Sequence, residues 1–280
     1  MPIKIKQRFA KGLSAPIVVV VLTLTLASAG VAVARDGVEV GKSSSFSSLV
    51  PAVEVENAAS QQYAQMLQEA AAQHALGGSG NPQVQRLRAI AQRIIPQSQE
   101  WNPRAKDWKW EVNLIGSNQI NAFCMPGGKI AFYTGILDQL KLTDDEVAMV
   151  MGHEIAHALR EHARARMGKS AATNIGAGLL SQLLGLGQVG QAVTGYGAQL
   201  LTLTFSREDE SEADLVGMEI AARAGYNPRA AVSLWQKMAA ASQGAPPQWL
   251  STHPSGSTRI ADIGKNLPRV MPLYERAKRS

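Results

Sequence analysis

The chain has 280 residues, which is enough for one domain of moderate size with a sizeable hydrophobic core and a processing segment. Hydrophobic residues make up 45% of the sequence, and the formal net charge is +6. Lysines and arginines within the first dozen residues carry four of these charges, which leaves +2 for the rest of the chain and no basic patch interleaved with aromatic residues. This composition indicates a soluble globular protein and argues against nucleic acid as a partner.

The N-terminal residues 1–34 are predicted to form an export signal peptide. A basic stretch is followed by the apolar run 17–27, and an A-x-A sequence at 32–34 offers a cleavage site. The alternative is an uncleaved membrane anchor, because 12–34 is uncharged and long enough to span a bilayer. We therefore expect a periplasmic protein, or one that is anchored in the inner membrane and faces the periplasm.

Residues 35–56 are rich in serine and valine and lack a helical period, so they are predicted to be a flexible linker. The globular domain is expected over 57–275, and a basic tail follows at 276–280. Apolar periodicity predicts the first helices of the domain at 56–74 and 82–95.

Three short strands are predicted next, at 109–115, 120–125 and 129–133, and Pro126-Gly127-Gly128 is expected to join the last two in a hairpin. A strand edge beside an active site can pair with the extended backbone of a substrate. The alternative is that these strands are only structural. Cys124 is the only cysteine, so no intrachain disulfide can form, and it is predicted to be a small buried hydrophobic residue.

The next helical segment contains an H-E-x-x-H sequence formed by His153, Glu154 and His157, and it begins with a capping box between Thr143 and Glu146. Residues four apart lie on the same face of a helix, so the two imidazoles can converge on one zinc ion. Glu154 is rotated by about 100° from His153 and can reach a metal-bound water without being a ligand. The opposite face carries an apolar stripe that predicts packing into a core: Val147, Met151, Ile155, Ala158 and Leu159.

Residues 170–206 contain no Asp, Glu, Lys or Arg, and glycines interrupt their leucine-rich runs. They are predicted to form a helical hairpin packed against the active site or a mobile flap over it. The alternative is a peripheral contact with a membrane. Helices are predicted again at 207–224 and 228–241, and a short helix is predicted near 258–266.

Zinc in hydrolases usually has three protein ligands and one open position for water, so the two histidines need a third partner. His162 is excluded because it lies five residues beyond His157, which rotates it far from the metal face. The third ligand must therefore come from another part of the chain.

The acidic segment 205–214 is the best source, since a carboxylate from a second helix would complete a His-His-Glu set. The residue types alone do not choose among Glu208, Glu210 and Glu212. Asp214 lies four residues after Glu210, on the same helix face, and could accept the outer N–H of a ligating histidine.

These motifs resemble the zinc metalloendopeptidase family that includes the CAAX prenyl protease, HtpX, BepA and LoiP. The resemblance covers about 57–266 and is carried by the H-E-x-x-H helix, the S-R-x-x-E-x-x-A-D stretch at 206–214, the strand Asn121-Ala122-Phe123 and the loop His253-Pro254. It implies an α+β, mostly α-helical metallopeptidase domain of the gluzincin type, with a small β-sheet or hairpin beside the zinc-binding helix. The multiple membrane spans of some relatives are not expected, and neither is a prenylated substrate.

The resemblance also implies roles for individual residues. Glu210 matches the third zinc ligand, and Asp214 matches the aspartate that follows it. The strand 121–123 is implied to bind the substrate along its edge. His253 is implied to be either an oxyanion stabiliser or a fourth, autoinhibitory zinc ligand. Arg259 is implied to be a structural ion-pair partner.

The sequence therefore predicts an exported zinc-dependent metalloendopeptidase that binds one Zn²⁺ per chain and cleaves unfolded or misassembled envelope proteins. Glu154 is expected to be the general base that acts on a zinc-bound water. The main alternative is a periplasmic chaperone or adaptor without proteolytic activity, in which the zinc site is structural. A second alternative is a hydrolase for a non-peptide amide such as cell-wall material.

Overall fold

The computed structural model describes residues 36–183, 200, 203–242, 247–253 and 258–279. Within these ranges the helices are α1 (Ala52–Ala72), α2 (Pro82–Ile94), α3 (Thr134–Leu140), α4 (Asp144–Leu159), α5 (His162–Leu183), α6 (Arg207–Arg223), α7 (Ala230–Ala241), α8 (Gln248–Thr252) and α9 (Arg259–Ala277). The strands are β1 (Glu111–Ile115), β2 (Ala122–Met125) and β3 (Lys129–Tyr133). The predicted fold class, mostly helical with a small sheet, is therefore confirmed.

The sheet has the strand order β1-β3-β2. β1 pairs with β3 in parallel, and β2 pairs with β3 antiparallel, with Ala122 opposite Phe132. The β2–β3 hairpin turns at Gly127 and Gly128, whose φ angles of 83° and 79° favour glycine. The predicted hairpin is confirmed, and β2 lies at one edge of the sheet, where it packs against α4. Among the described residues, no further strand pairs with the outer edge of β2.

Helix α4 is the centre of the domain, and every residue from Glu146 to Leu159 is buried. Its predicted capping box is present, because the Thr143 side chain accepts from the N–H of Glu146 and the Glu146 carboxylate accepts from the N–H of Thr143. The predicted apolar stripe packs into the core. The face that carries the histidines is buried as well, since α6 and the segment around α8 cover it.

The structure corrects the flexible linker predicted for 35–56. Residues 36–51, here named the N-terminal strap, pack against the domain, and the Val38 side chain is 3% exposed. Side chains from distant helices bind the backbone of the strap. The N–H of Val38 donates to the Glu219 carboxylate at 2.7 Å, and Arg164 donates to two strap carbonyls. The serine- and valine-rich composition gives no indication of these partners, because they lie more than a hundred residues away.

The C-terminal helix is longer than predicted. A short helix near 258–266 and a basic tail at 276–280 were expected, whereas α9 continues to Ala277. The helices predicted at 207–224 and 228–241 are confirmed as α6 and α7. One face of α9 remains buried along its length and stabilises the helix despite its two internal prolines: Ile263, Val270 and Leu273.

Some predictions fall partly or wholly outside the described residues. The signal peptide or anchor at 1–34 lies outside them, and most of 170–206 beyond the end of α5 does so too. In the part of the chain that the structure describes, no helix has both the length and the apolar character needed to cross a membrane. Cys124 is a buried free thiol, as predicted.

Candidate metal centre

His153 and His157 occupy successive turns of α4, and each is 3% exposed. Their Nε2 atoms lie 3.1 Å apart, and their ring centroids lie 4.7 Å apart. The four-residue spacing therefore brings the two nitrogens to one point, as the helical geometry predicts.

Glu210, in the first turn of α6, joins the two histidines. Ser206 caps this helix and forms a capping box with Asp209, which defines where the first turn begins. The Glu210 side chain is 1% exposed, and its carboxylate oxygens lie 3.6 Å from Nε2 of His153 and 3.4 Å from Nε2 of His157.

Of the three glutamates that sequence reasoning left open, only Glu210 faces the histidine pair. Glu208 is exposed to solvent, and Glu212 points towards Arg160 and His162. Positions two apart on a helix point to nearly opposite sides. The rotation of α6 about its axis therefore selects one glutamate and turns the other two away.

A close approach of α4 and α6 brings the carboxylate to the imidazoles. The approach occurs at Gly152 and Gly217, where a Cβ atom on Gly152 would lie 2.5 Å from the carbonyl oxygen of Gly217. A Cβ atom on Gly217 would lie 2.5 Å from the backbone nitrogen of His153. Any larger residue at either position would push the two helices apart.

Asp214 and Arg259 support this arrangement from behind. Nδ1 of His153 lies 3.1 Å from Oδ1 of Asp214. Arg259 is buried and donates to both Asp214 oxygens at 2.7 Å and to Glu210 at 2.6 Å. The carboxylate keeps the proton on Nδ1 of His153, so its Nε2 presents a lone pair. The resemblance implies a supporting role for both residues, and that role stays a prediction.

His162 and Glu212 lie behind His157, and sequence reasoning missed this contact. Helix α4 ends at Leu159, Glu161 adopts a left-handed φ of 58°, and α5 begins at His162. Because of this turn, Nδ1 of His162 lies 2.9 Å from Nδ1 of His157. His162 is not among the candidate metal ligands, as expected, but the reason differs from the one inferred from the sequence. The sequence argument assumed one continuous helix, whereas the turn at Glu161 places His162 behind His157. The end of the apolar stripe at Leu159 was the available signal for the turn.

Glu154 follows His153 on α4, and its carboxylate has Trp249 and His253 as neighbours. The indole Nε1 of Trp249 donates to Oε1 of Glu154 at 2.6 Å, and Oε2 of Glu154 lies 3.6 Å from Nε2 of His253. The backbone N–H of Trp249 donates to the carbonyl of Ile120, which ties α8 to the segment before β2. Trp249 was not singled out from the sequence, because no local pattern links it to α4.

His253 follows α8 and is 3% exposed. Its Nδ1 lies 3.1 Å from the carbonyl oxygen of Trp249 and 2.9 Å from the hydroxyl of Thr252. Nε2 of His253 and Oε1 of Glu210 are buried and have no hydrogen-bond partner among the described residues. One possible ligand atom from each of four residues lies within 4.8 Å of the others, and these residues are here named the metal group: His153, His157, Glu210 and His253.

Burial keeps the three histidines of this group in the neutral form that binds metals. It lowers the pKa of His153, although Asp214 acts in the opposite direction. Burial, together with neighbouring imidazoles, lowers the pKa of His157 and of His253 well below the ordinary value. Neutral imidazoles have the free lone pair that a metal ion requires.

Burial raises the pKa of the two carboxylates, Glu154 and Glu210, whereas it lowers the pKa of the histidines. It raises the pKa of Glu154 well above its ordinary value, against the hydrogen bond from Trp249. It raises the pKa of Glu210 to about 8, against the charge of Arg259. A divalent cation among these groups would supply the positive charge that two buried carboxylates need.

An open and largely apolar cleft, with about 790 Å³ of empty space, lies beside the metal centre. The residues that sequence reasoning assigned to substrate binding, 121–123, line one wall of this cleft. Glu154 and His253 also line it. Apolar side chains form much of the remaining wall: Val55, Leu200, Leu203 and Phe205.

The donor set and its geometry fit zinc. Nitrogen and oxygen ligands about 2.0–2.1 Å from a tetrahedral zinc ion lie roughly 3.3 Å from one another. The corresponding distances among His153, His157 and Glu210 are 3.1, 3.4 and 3.6 Å. Two imidazoles and one carboxylate form a ligand set of catalytic zinc, and His253 offers a fourth nitrogen.

Comparison with known proteins identifies relatives. The sequence matches the model of peptidase family M48 over residues 81–266. The mitochondrial metalloendopeptidase OMA1 of Arabidopsis thaliana is 39% identical over 150 residues, which cover 54% of this chain and 30% of the relative. OMA1 of Schizosaccharomyces pombe is 36% identical over 172 residues, which cover 60% of this chain and 50% of the relative. The beta-barrel assembly-enhancing protease of Escherichia coli is 32% identical over 171 residues, which cover 57% of this chain and 35% of the relative.

The chain therefore spans between 30% and 50% of the length of these relatives. The family match covers well over half of the chain and contains all four residues of the metal group. The predicted resemblance, zinc cofactor and enzyme class are confirmed at the level of the family. The chain belongs to peptidase family M48 and carries the zinc metallopeptidase domain of that family.

Proposed function

We propose that this chain is an exported endopeptidase that cleaves unfolded or misassembled envelope proteins, with one zinc ion held by His153, His157 and Glu210. The observation that carries the proposal is the convergence of these three side chains, from two helices, on one buried point. Asp214 supports the site as the acceptor for Nδ1 of His153.

When bound, zinc supplies Lewis-acid polarisation of a carbonyl and a more acidic water. Glu154 acts as the general base through Oε2, because Oε1 is already held by the indole of Trp249. It takes a proton from the attacking water and then delivers that proton to the leaving amine. A carboxylate whose pKa is raised by burial suits both steps. Such acid–base help is typically worth about 10²–10⁴-fold in rate.

His253 acts on the same centre. Its Nδ1 is next to the carbonyl of Trp249, which directs the lone pair of Nε2 towards the metal group. With this geometry His253 serves either as a fourth ligand in the resting enzyme or as a group that stabilises the oxyanion after reorientation. We expect His253→Ala either to lower the turnover number or to raise the resting activity, and an unchanged rate would remove His253 from the mechanism.

The proposed substrate is an extended polypeptide. The outer edge of β2 lies along the cleft, where the backbone at 121–123 can pair with a substrate strand. An apolar cleft suits the side chains that unfolded proteins expose. One group of relatives bears the name of proteases that enhance β-barrel assembly, which supports envelope proteins as substrates.

The proposed location is the periplasm, and it rests on the sequence of 1–34 rather than on relatives. The relatives named above include mitochondrial as well as bacterial proteins. A peripheral membrane contact through 170–206 belongs to the same proposal, since this uncharged segment adjoins the apolar cleft at Leu200 and Leu203.

The variant Glu154→Gln tests the proposed mechanism. We expect it to keep the zinc content of the parent and to lose cleavage of unfolded casein, because an amide cannot accept the proton. Glu208→Gln makes the same chemical change at an exposed position of α6 and should cleave at the parent rate. Metal analysis and the cleavage rate are measured on the same samples. Full activity of Glu154→Gln would refute its assignment as the base.

The alternative is a chaperone or adaptor with structural zinc, and one observation favours it. Four protein side chains surround the site, and structural zinc sites use four protein ligands. A folded protein that contains one zinc per chain and cleaves no unfolded polypeptide, either as the parent or as His253→Ala, would support this alternative over the protease.

A further inference from the structure

The two histidines of α4 have different partners behind them. Nδ1 of His153 meets a carboxylate directly, namely that of Asp214. Nδ1 of His157 instead meets another imidazole, because Nδ1 of His162 lies 2.9 Å away. A second carboxylate follows, since Nε2 of His162 lies 3.0 Å from Oε2 of Glu212.

The hydrogen bonds from His157 to His162 and from His162 to Glu212 allow only one arrangement of protons if His157 binds metal through Nε2. Nδ1 of His157 then carries the proton and donates it to Nδ1 of His162. Nδ1 of His162 must therefore be the acceptor, and the ring proton of His162 lies on Nε2, which donates to Glu212. Each contact has one donor and one acceptor, and the carboxylate at the end selects this arrangement.

Glu212 is itself held in place. Arg160 donates to its Oε1 through Nε at 2.8 Å, and Nη2 of Arg160 lies 2.5 Å from the same oxygen. Nη2 of Arg160 also donates to the carbonyl of Gly41 in the N-terminal strap. The series His157–His162–Glu212–Arg160 thus connects the metal helix to α5, α6 and the strap.

The ring of His157 is restrained on its face as well. Phe205 stacks on it with a centroid distance of 4.0 Å and an interplanar angle of 29°. Stacking alone still allows the ring to rotate by 180° about the Cβ–Cγ bond, which would exchange the positions of its nitrogen and carbon atoms. The contact with His162 distinguishes these orientations, because only one of them places Nδ1 against the acceptor.

We propose that His162 and Glu212 are positioning residues that hold the His157 ring in the orientation and tautomer needed to bind zinc. This inference rests on the proposed ligand set, in which His157 is a ligand. Neither residue belongs to the metal group itself, and their effect on it passes through the contact between His162 and His157.

The experiment measures the zinc dissociation constant of the full chain by competition with a chromophoric chelator. His162→Leu fills a similar volume but cannot accept a hydrogen bond, and we expect zinc binding to weaken by about 10–100-fold. His162→Asn places its amide oxygen near the position of Nδ1. We expect this variant to recover most of the lost affinity, which a purely structural role of His162 would not explain.

Glu212→Gln tests the order of the series. Its amide keeps an acceptor but loses the charge, so we expect a weaker loss than in His162→Leu. Because Glu212 acts through His162, adding Glu212→Gln to His162→Leu should produce no further loss. Independent effects, in which the two losses multiply, would overturn the proposed series.

Glu219→Gln is the matched control. Glu219 is a buried carboxylate on the same helix, and it pairs with Arg223 away from the metal group. We expect it to lower the melting temperature while leaving the zinc dissociation constant within about twofold of the parent. An equal loss of zinc affinity in this control would mean that any destabilisation of α6 weakens the site, and the proposal would be wrong.

A comparison of His157→Ala with the His162 variants distinguishes an error in the proposed ligand set from an error in the proposed positioning role. If His157→Ala binds zinc like the parent, His157 is not a ligand and both are wrong. If His157→Ala loses zinc while His162→Leu binds it at the parent affinity, the ligand set stands and the positioning role is overturned. If both lose affinity and His162→Asn recovers it, the inference is supported.

Discussion

Glu146 connects the start of the metal helix to α7. Its carboxylate accepts hydrogen bonds from the N–H of Thr143, from Ser233 at 2.7 Å and from Lys237 at 2.6 Å. Burial acts to raise the pKa of Glu146, but these three donors outweigh burial and the pKa is lowered. A lowered pKa means that the folded state favours the ionised carboxylate. The resulting stabilisation is complete above the ordinary value of 4.5 and is lost as the pH falls through the folded-state pKa.

We predict that Glu146→Gln lowers the free energy of unfolding by about 1–3 kcal/mol at neutral pH, because Lys237 loses its charged partner. The difference from the parent should shrink as the pH falls below about 4.5, where Glu146 of the unfolded parent takes up a proton, and should vanish once the pH lies below the lowered folded-state pKa. Urea unfolding of the two metal-free proteins between pH 3 and 7 measures this difference.

The control is Glu54→Gln, which changes an exposed glutamate in the first turn of α1. It should alter the free energy of unfolding by no more than about 0.5 kcal/mol. A Glu146→Gln difference that stays constant from pH 7 to pH 3 would contradict the ionic origin of the stabilisation.

At the scale of elements, the metal centre depends on the contact between α4 and α6. Helix α4 contributes His153 and His157 and α6 contributes Glu210 to the group that could hold a metal ion, and neither helix could form this group alone. The contact passes through Gly152 and Gly217, where backbone meets backbone without side chains between them. Such glycines reduce the intrinsic stability of each helix. The closer packing that they permit brings Glu210 within 3.4 Å of His157.

We predict that Gly217→Ala destabilises the protein by about 1–3 kcal/mol and weakens zinc binding, since its Cβ atom would lie 2.5 Å from the backbone nitrogen of His153. Gly264→Ala, in α9, is the matched control, because its Cβ atom would meet nothing within 4 Å. This control should stabilise the protein by about 0.5–1 kcal/mol through helix propensity. Denaturant unfolding and zinc titration compare the two variants, and equal stabilisation by both would refute the packing argument.

At the scale of the whole molecule, the N-terminal strap adds a layer to the domain. Its backbone is bound by Glu219, Arg160 and Arg164, which belong to α6, to the end of α4 and to α5. Val38 joins the same hydrophobic core as α4 and α6. The strap therefore contacts the helices that carry the metal group and is part of the folded domain.

We predict that Val38→Ala lowers the free energy of unfolding by about 1–3 kcal/mol, because it removes buried methyl groups and leaves a small cavity. Val53→Ala is the matched control, since Val53 is 55% exposed at the start of α1. Its effect should remain within about 0.5 kcal/mol, measured by denaturant unfolding of the same preparation. If both substitutions are equally harmless, the strap does not stabilise the domain.

The sequence alone determined the features that depend on neighbours within a few residues. The pairing of His153 and His157 follows from helical spacing, and the capping box at Thr143 and the hairpin turn at 126–128 follow from local backbone chemistry. The resemblance supplied Glu210, which residue types alone had left among three candidates.

Only the tertiary structure decided the features that depend on how distant segments are placed. The rotation of α6 chose Glu210, a left-handed residue at Glu161 turned His162 behind His157, and α8 brought Trp249 to Glu154. The buried strap belongs to the same class. In each case the partner lies on another segment of the chain and is decided by how the two segments pack. For Glu210, a rotation of α6 exchanges which side chain faces the site, and the residue types alone do not encode that rotation.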